Sequence, residues 1–218
     1  MSGALRLFRG RQKPGEMTPR YRLFRWSMIR LCRLLFGYTL HGEERVPPEG
    51  PLVIASNHGQ YLDPVLVCVA VPRRVQWMGK KQLFVFPFKT FFHFIGTFPV
   101  DREGGGRGAI RAALAFLGEG WALGIFPEGT HRGDEGSKDA KSGVVVLASR
   151  GKAPVLPVYV GRLPGITGRL RGGRLHVYIG EPIRLDPALR GGAAYRAQAE
   201  EIMQTIYALP RAAEAGSL

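Results

Sequence analysis

Residues 52–64 read LVIASNHGQYLDP. Leu52–Ala55 is a short apolar run that is typical of a buried strand, and His58 and Asp63 follow the point where that strand ends. In α/β proteins, active sites usually lie at the carboxyl ends of strands. The stretch therefore predicts a buried strand that leads into a functional turn.

His58 and Asp63 have the chemistry of a proton-transfer pair. An imidazole takes up and releases a proton near neutral pH, and a carboxylate beside it can hold its tautomer and stabilise its cation. Along a regular helix five residues correspond to about 140° of rotation, so the two side chains meet only if His58 lies in the turn and Asp63 early in the next helix. The alternative is that Asp63 simply begins that helix, with Pro64 at its first position.

Three further blocks follow this stretch in order along the chain. They are GTFPVDR at 96–102, FPEGT at 126–130 after a second apolar run, and APVLPV at 153–158. With the His58–Asp63 stretch, these blocks resemble the glycerolipid acyltransferases related to bacterial 1-acyl-glycerol-3-phosphate acyltransferase, from about Gly42 to Pro182. The histidine–aspartate spacing alone is a moderate signal, but its combination with FPEGT about seventy residues later is a strong one.

The resemblance implies a role for each of several residues. His58 would be the general base, and Asp63 would orient its ring. The acceptor would be bound by side chains or backbone groups of Asn57, Arg102, Glu128, Gly129, Thr130, His131 and Arg132. Relatives usually have an arginine after Gly-Thr, whereas this chain has His131 and then Arg132, so either side chain could contact a phosphate. The alternatives are a surface ion pair for Arg102 and an ordinary turn for PEGT at 127–130.

The residue pattern favours direct attack by an acceptor hydroxyl on a thioester. The chain has no Gly-x-Ser-x-Gly motif, and neither Cys32 nor Cys68 is adjacent to a histidine. A covalent acyl-enzyme is therefore not expected. Backbone N–H groups near Gly59 or at Gly129 could stabilise the tetrahedral oxyanion.

Acyl-CoA or acyl carrier protein would be the donor and would act as a co-substrate. Arg132 and Lys141 could alternatively bind the phosphates of CoA. Metal binding by His58 and Asp63 is a further alternative, but no third ligand has zinc-like spacing. We therefore expect no metal and no tightly bound cofactor.

The charge balance predicts an anionic partner. The chain carries a formal net charge of +14 and a pI near 10.5, which favours anionic lipid surfaces, phosphorylated substrates or nucleic acid. It lacks zinc-ligand spacing and the basic–aromatic strand signature of RNA-recognition domains, so nucleic acid is not the expected partner. It has no apolar run long enough to cross a bilayer, and its first residues lack the uninterrupted apolar core expected of a signal peptide.

The N-terminal segment is the most basic part of the chain. Residues 1–40 contain nine basic residues and one acidic residue. Arg22, Arg25, Arg30 and Arg33 fall within about 140° of a helical wheel, and most apolar residues cover the remainder. Such a helix suits the head-group region of an anionic bilayer, and the alternative is a helix that packs on the domain with solvated arginines. We expect a membrane-binding amphipathic segment at 1–40 and a catalytic α/β domain at 41–218.

Apolar runs alternate with helical patterns beyond residue 50, which predicts an α/β domain with a central, largely parallel sheet flanked by helices. The predicted strands are Leu52–Ala55, Val75–Met78, Thr97–Val100, Trp121–Phe126, Val155–Val160 and Leu175–Ile179. The predicted helices are Asp63–Ala70, Lys81–Ile95, Gly108–Leu117, Ala140–Arg150 and Ala193–Leu209. Residues 161–173 are expected to form a mobile basic loop, and the tail after Pro210 is expected to fray.

Together with these features, the resemblance implies a membrane-associated O-acyltransferase. The expected reaction moves a fatty acyl group to the sn-2 hydroxyl of lysophosphatidic acid and gives phosphatidic acid. The expected location is the cytoplasmic face of the cell membrane, with peripheral or monotopic attachment. Glycerol 3-phosphate, another lysophospholipid or a lyso-ornithine lipid are alternative acceptors, and a non-catalytic basic module that binds membranes or RNA is the alternative from a different class.

Overall fold

The computed structural model describes residues 14–85, 87–100, 107–129 and 142–216. The strands in this part of the chain are β1 (Thr39–His41), β2 (Leu52–Ser56), β3 (Val75–Lys80), β4 (Thr97–Val100), β5 (Ala122–Ile125), β6 (Val155–Val160) and β7 (His176–Ile179). The α-helices are α1 (Pro19–Phe36), α2 (Asp63–Ala70), α3 (Phe88–Phe94), α4 (Arg107–Gly118), α5 (Gly143–Gly151), α6 (Ile166–Leu170) and α7 (Gly192–Glu214).

The seven strands form one sheet in the order β1-β7-β6-β2-β5-β3-β4. The five strands from β6 to β4 in this order are mutually parallel. At the other edge β7 is antiparallel to β6, and β1 is parallel to β7. The predicted α/β fold with a largely parallel sheet is confirmed. Because parallel strands share one direction, the turns after β2, β5 and β6 lie along one edge of the sheet.

The middle of the sheet is buried on both faces, as the apolar runs require. All five residues of β2 are buried. One core contains Ile54 with residues of α1 and α2, whereas the other contains Val53 with residues of α4, α5 and α7. The helices therefore cover both faces, and solvent reaches the central strands mainly at their ends.

A glycine in β5 makes room for an aromatic ring beside the turns. Gly124 pairs with Trp77 of β3, and a Cβ atom at Gly124 would lie 2.5 Å from the indole ring. Any side chain at this position would displace the ring. The small residue allows Trp77 to lie flat across β5, next to the first residue after that strand.

Helix α1 packs on the domain through one face. Thr18 caps it, Pro19 occupies its first turn, and Gly37 ends it in the left-handed conformation, which favours glycine. Tyr21 and Cys32 are buried against the domain. Among the residues that the structure describes, no helix is both long and apolar enough to span a bilayer.

Arg25, which the helical wheel placed in the basic sector, bonds to the domain instead. Its guanidinium donates to the carbonyls of Val69 and Ala70 at 2.8 and 3.2 Å and forms an ion pair with Glu43. The other three arginines of that sector, Arg22, Arg30 and Arg33, are exposed. The predicted boundary at residues 40 and 41 falls inside β1, a strand that was not predicted.

Prolines and packing explain the remaining differences. The predicted helix Lys81–Ile95 is instead a 3₁₀ turn at Lys81–Leu83 followed by α3, which begins after Pro87. The predicted basic loop contains α6. The prediction that the chain frays after Pro210 is wrong, because α7 continues to Glu214. Leu209 is buried there, and its side chain lies close to Gly180.

Candidate active site

The turn after β2 carries the predicted His58–Asp63 pair. Asn57 to Leu62 connect the strand to α2, and Asp63 is the first residue of that helix. Pro64 fits the first helical turn because its missing N–H has no partner to lose there. The geometry that the sequence required, with histidine in the turn and aspartate at the helix start, is therefore present.

Asp63 is the centre of a hydrogen-bond network that holds this turn. Its side chain is buried, and Oδ2 accepts from the backbone N–H groups of Gly59 and Gln60, both at 2.8 Å. The same oxygen lies 3.2 Å from Nδ1 of His58. An ionised carboxylate only accepts hydrogen bonds, so this contact places the proton of a neutral His58 on Nδ1 and leaves Nε2 as the basic nitrogen.

Aromatic rings hold the other side of His58. Its imidazole stacks on Phe126 with 4.1 Å between centroids and 17° between planes. Phe126 stacks in turn on Trp77, at 5.0 Å and 19°. The histidine side chain remains 17% exposed. The ring is thus clamped between a carboxylate and a phenyl ring while one edge still reaches solvent.

A buried cysteine lies beneath this stack. The indole N–H of Trp77 donates to Sγ of Cys68 at 3.1 Å. Burial raises the pKa of the Cys68 thiol above its ordinary value. A neutral, buried thiol is a poor nucleophile, so Cys68 is poorly suited to form an acyl-enzyme.

Two amide side chains tie the turn to β6, and neither role was predicted from the sequence. The carboxamide of Asn57 donates to the carbonyl of Val160 at 2.9 Å and accepts from the N–H of the same residue at 2.7 Å. Gln60 donates to the carbonyl of Gly161 at 3.2 Å and accepts from the N–H of Leu163 at 2.9 Å. Asn57 therefore has an architectural function, while its predicted contact with substrate stays a prediction.

The turn after β5 carries the second predicted motif. Gly129 has a φ of 80°, and its N–H donates to the carbonyl of Phe126 at 2.9 Å. The left-handed conformation explains why glycine follows Glu128. Because Phe126 also contacts His58, this turn and the turn after β2 lie side by side at the edge of the sheet.

Tyr207 of α7 is a further residue of this turn that the sequence did not identify. Its hydroxyl donates to Oε1 of Glu128 at 2.5 Å, and its ring packs against Tyr159 of β6 with 6.0 Å between centroids. Charge-assisted hydrogen bonds of this kind are short and comparatively strong. The C-terminal helix therefore contributes directly to the position of the Glu128 carboxylate.

Five of the nine predicted site residues can be placed. His58, Asp63 and Asn57 lie in the turn after β2, and Glu128 and Gly129 lie in the turn after β5. The other four lie outside the described residues: Arg102, Thr130, His131 and Arg132. Lys141, the alternative donor contact, also lies outside them.

The two glycine N–H groups that could have stabilised an oxyanion already have partners. Gly59 donates to Asp63, and Gly129 donates to Phe126. Both groups hold their turns. In the part of the chain that the structure describes, no three histidine, cysteine or acidic side chains are close enough to hold a metal ion.

The arrangement has the elements that general base catalysis needs. A histidine whose Nδ1 faces a buried carboxylate has Nε2 as its basic nitrogen, and a second carboxylate lies on the neighbouring turn. A base held in this way can accept a proton from a hydroxyl group that approaches its exposed edge. The site can therefore activate an alcohol for attack on an electrophilic carbonyl.

The chain is similar to known acyltransferases. The family model described as Acyltransferase matches residues 37–161. A 1-acyl-sn-glycerol-3-phosphate acyltransferase of Bacillus subtilis is 34% identical over 150 residues, which cover 67% of this chain and 74% of that protein. An enzyme of the same name from Streptococcus pneumoniae is 28% identical over 148 residues, covering 66% of this chain and 54% of the relative.

A solved structure supports the fold independently. The crystal structure of PlsC, a 1-acyl-sn-glycerophosphate (LPA) acyltransferase from Thermotoga maritima, has a TM-score of 0.61 to this chain. The match covers 95% of this chain and 88% of that one at 20% sequence identity. At this identity the likeness establishes a common fold.

Proposed function

This chain belongs to the Acyltransferase family, and from this premise we propose that it transfers a fatty acyl group from a thioester to the sn-2 hydroxyl of 1-acyl-glycerol 3-phosphate. Phosphatidic acid would be the product. The names of the relatives support the acceptor, since both bacterial relatives are 1-acyl-sn-glycerol-3-phosphate acyltransferases. The acyl donor is acyl-CoA or acyl carrier protein.

The convergence of three donors on one oxygen of Asp63 carries the proposal. His58, Gly59 and Gln60 all approach Oδ2, at 3.2, 2.8 and 2.8 Å. The two backbone contacts come from the turn itself and hold the carboxylate. The carboxylate in turn fixes the tautomer of His58 and stabilises the imidazolium that forms after proton transfer.

The proposed reaction needs one base and no covalent enzyme intermediate. Nε2 of His58 accepts the proton of the acceptor hydroxyl as its oxygen attacks the thioester carbonyl. The new C–O bond gives a tetrahedral intermediate, and the C–S bond then breaks. His58 returns the proton to the departing thiolate sulfur, which releases the thiol of the donor. No metal or cofactor enters this scheme.

Glu128 is proposed to orient the acceptor beside His58. Its carboxylate can accept a hydrogen bond from an acceptor hydroxyl while Tyr207 holds Oε1. A carboxylate repels a phosphate, so the phosphate contact is assigned to cationic and hydroxyl side chains. We propose Arg102, Thr130, His131 and Arg132 for this contact, on the basis of the resemblance described above.

The exposed face of α1 supports attachment to the surface of an anionic membrane. Leu23, Trp26 and Leu34 are 63%, 56% and 76% exposed. Together with Arg30, whose guanidinium lies 5.2 Å from the Trp26 ring, they fall within about 80° of the helix circumference. Apolar and basic groups that share one exposed face suit the interfacial region of a bilayer. We propose peripheral or monotopic attachment at the cytoplasmic face of the cell membrane.

An acceptor panel with a variant of the base tests this function. Purified protein receives acyl-CoA or acyl carrier protein with lysophosphatidic acid, glycerol 3-phosphate, other lysophospholipids or a lyso-ornithine lipid. We expect the fastest transfer to lysophosphatidic acid, and His58→Ala should reduce turnover about 10²–10⁴-fold. His41→Gln, a change on strand β1, is the matched control and should retain turnover.

Two results would contradict different parts of the proposal. Near-normal turnover by His58→Ala would exclude His58 as the base. Faster transfer to another acceptor would keep the mechanism and change the substrate. A protein that shows no transfer with any pair and yet binds RNA in a salt-sensitive manner would be a non-catalytic basic module.

A further inference from the structure

Helix α6 exposes two large aliphatic side chains on one face. Ile166 and Leu170 are 84% and 83% exposed, and their spacing of four residues places them on the same side of the helix. Paired apolar side chains at such exposure often belong to a contact surface.

The segment around α6 is strongly and uniformly basic. Residues 161–174 contain four arginines and no acidic residue. Arg162, Arg171 and Arg174 are exposed, and Arg169 is half-buried. An aliphatic pair surrounded by positive charge matches the chemistry of an anionic lipid surface, where apolar groups enter the interface and guanidinium groups bind phosphates.

The segment is fixed to α1 at its C-terminal end. The N–H of Leu175 donates to the carbonyl of Phe36 at 2.9 Å, and the N–H of Thr39 donates to the carbonyl of Leu175 at 2.8 Å. A Cβ atom at Gly37 would lie 3.2 Å from the Arg174 side chain and 3.3 Å from the Arg169 guanidinium. Two of the four arginines, Arg169 and Arg174, therefore lie against the end of α1, next to the helical turn that exposes its last leucines.

The other end of the segment is fixed to the turn that carries the base. Gln60 bonds to both Gly161 and Leu163. That turn itself exposes Tyr61 and Leu62, at 87% and 49%. The segment thus connects the end of α1 with the rim of the active site, and each of these three regions exposes apolar side chains.

We propose that α6 is a second membrane-binding element, in which Ile166 and Leu170 enter the head-group region of an anionic bilayer and the surrounding arginines bind lipid phosphates. The contact of α6 with the bilayer places the rim of the active site at the membrane surface. This proposal rests on the proposed function in one respect: the active site would take its acceptor from the bilayer.

Sedimentation with vesicles of phosphatidylcholine and phosphatidylglycerol tests the proposal on the full chain. Ile166→Ser with Leu170→Ser should lower the partition coefficient about tenfold, because two buried aliphatic groups are removed from the interface. Arg162→Gln with Arg171→Gln should lower it by a similar factor through lost attraction. The double change Arg150→Gln with Arg196→Gln is the matched control, since it removes the same charge from exposed sites on α5 and α7 and should leave partition nearly unchanged.

A tryptophan at the tip of the helix gives an independent measurement. Leu170→Trp should increase partition, because Trp favours the interface. Its fluorescence should be quenched by brominated lipids more strongly than that of the wild-type chain, which has three tryptophans. Wild-type partition by the serine variant together with unchanged quenching in Leu170→Trp would overturn the proposal.

The outcome of these experiments does not depend on the proposed function, and it distinguishes a lipid partner from a nucleic acid. Vesicle partition needs no turnover, so a chain that transfers no acyl group can still bind through α6. If the proposal holds, the serine variant should lose activity on vesicle-bound acceptor and keep activity on a short-chain, water-soluble acceptor. The variant Arg162→Gln with Arg171→Gln could instead lose binding to poly(U) and keep vesicle partition. In that case α6 would contact RNA, and the proposal would be wrong.

Discussion

Asp63 and Glu128 are carboxylates on neighbouring turns at the same edge of the sheet, but their surroundings differ. Asp63 is 1% exposed, and Oδ2 meets three donors from residues at most five positions away in the sequence. Glu128 is half-buried. Within the described part of the chain its carboxylate accepts one side-chain hydrogen bond, from Tyr207, 79 residues further along.

Under the proposed function, this difference would separate a fixed catalytic turn from an adjustable turn that binds the acceptor. The turn after β2 orients His58 with its own backbone, so the base keeps its geometry without help from the acceptor. The turn after β5 depends on α7 for the position of Glu128. Mutations in the first turn should therefore change the chemical step, whereas mutations around the second should change acceptor binding.

The largest effect is expected for Asp63→Asn. An amide offers one acceptor oxygen where the carboxylate offers two, and its NH₂ cannot accept from Nδ1 of His58, so the wrong tautomer is favoured. We expect kcat to fall about 10²–10⁴-fold. Asp186→Asn, a change in an exposed carboxylate, is the control. Turnover within a few-fold of wild type would show that His58 needs no carboxylate to orient it.

Asn57→Ala tests how firmly the first turn is tied to β6. Removal of the carboxamide leaves the N–H and the carbonyl of Val160 without their side-chain partner, and buried unpaired groups cost about 1–3 kcal/mol. Urea unfolding should show this loss of stability. Asn57→Asp keeps the acceptor and places a second acceptor against the Val160 carbonyl, so it should not restore stability. An unchanged unfolding midpoint for Asn57→Ala would mean that this contact contributes nothing.

A smaller, kinetic effect is expected for Tyr207→Phe. Loss of the hydroxyl removes one hydrogen bond from Glu128 and keeps the ring that packs on Tyr159. Hydrogen bonds to charged groups are worth about 1.5–3 kcal/mol. Because solvent weakens this exposed one, KM for the acceptor should rise about fivefold with little change in kcat. Glu128→Gln should raise the same KM, and the double variant should be no worse than Glu128→Gln alone. A selective loss of kcat would instead place Tyr207 with the catalytic turn.

The smallest effect concerns a region remote from both turns. Burial, reinforced by His176, lowers the pKa of His41 below its ordinary value of 6.5. As the pH falls from about 6.5 towards the lowered pKa of His41, the unfolded chain binds more protons than the folded one. The free energy of unfolding therefore decreases as the pH falls through this range. His41→Gln should flatten that dependence. The pKa of His93 is also lowered by burial, so part of the slope should remain. An identical slope in the variant would remove His41 as a cause.

The sequence predicted the longer strands more accurately than the short elements between them. Six strands were predicted within a few residues of their observed bounds, because each is a mostly apolar run that is largely buried. Strand β1 was missed, since Thr39–His41 is only three residues long and carries no pattern. Helix α6 was missed because glycines surround it and its apolar side chains do not face the core.

The sequence by itself determined the fold class, the strand–turn–helix unit around His58 and Asp63, and the membership of a family. These features depend on local spacing: a strand, a five-residue step and a proline that begins a helix. Only the tertiary structure decided that Asn57 bonds to Val160, 103 residues away, and that Tyr207 holds Glu128. Such contacts depend on strand order and on where the last helix packs, and neither is encoded in the spacing of residues along the chain.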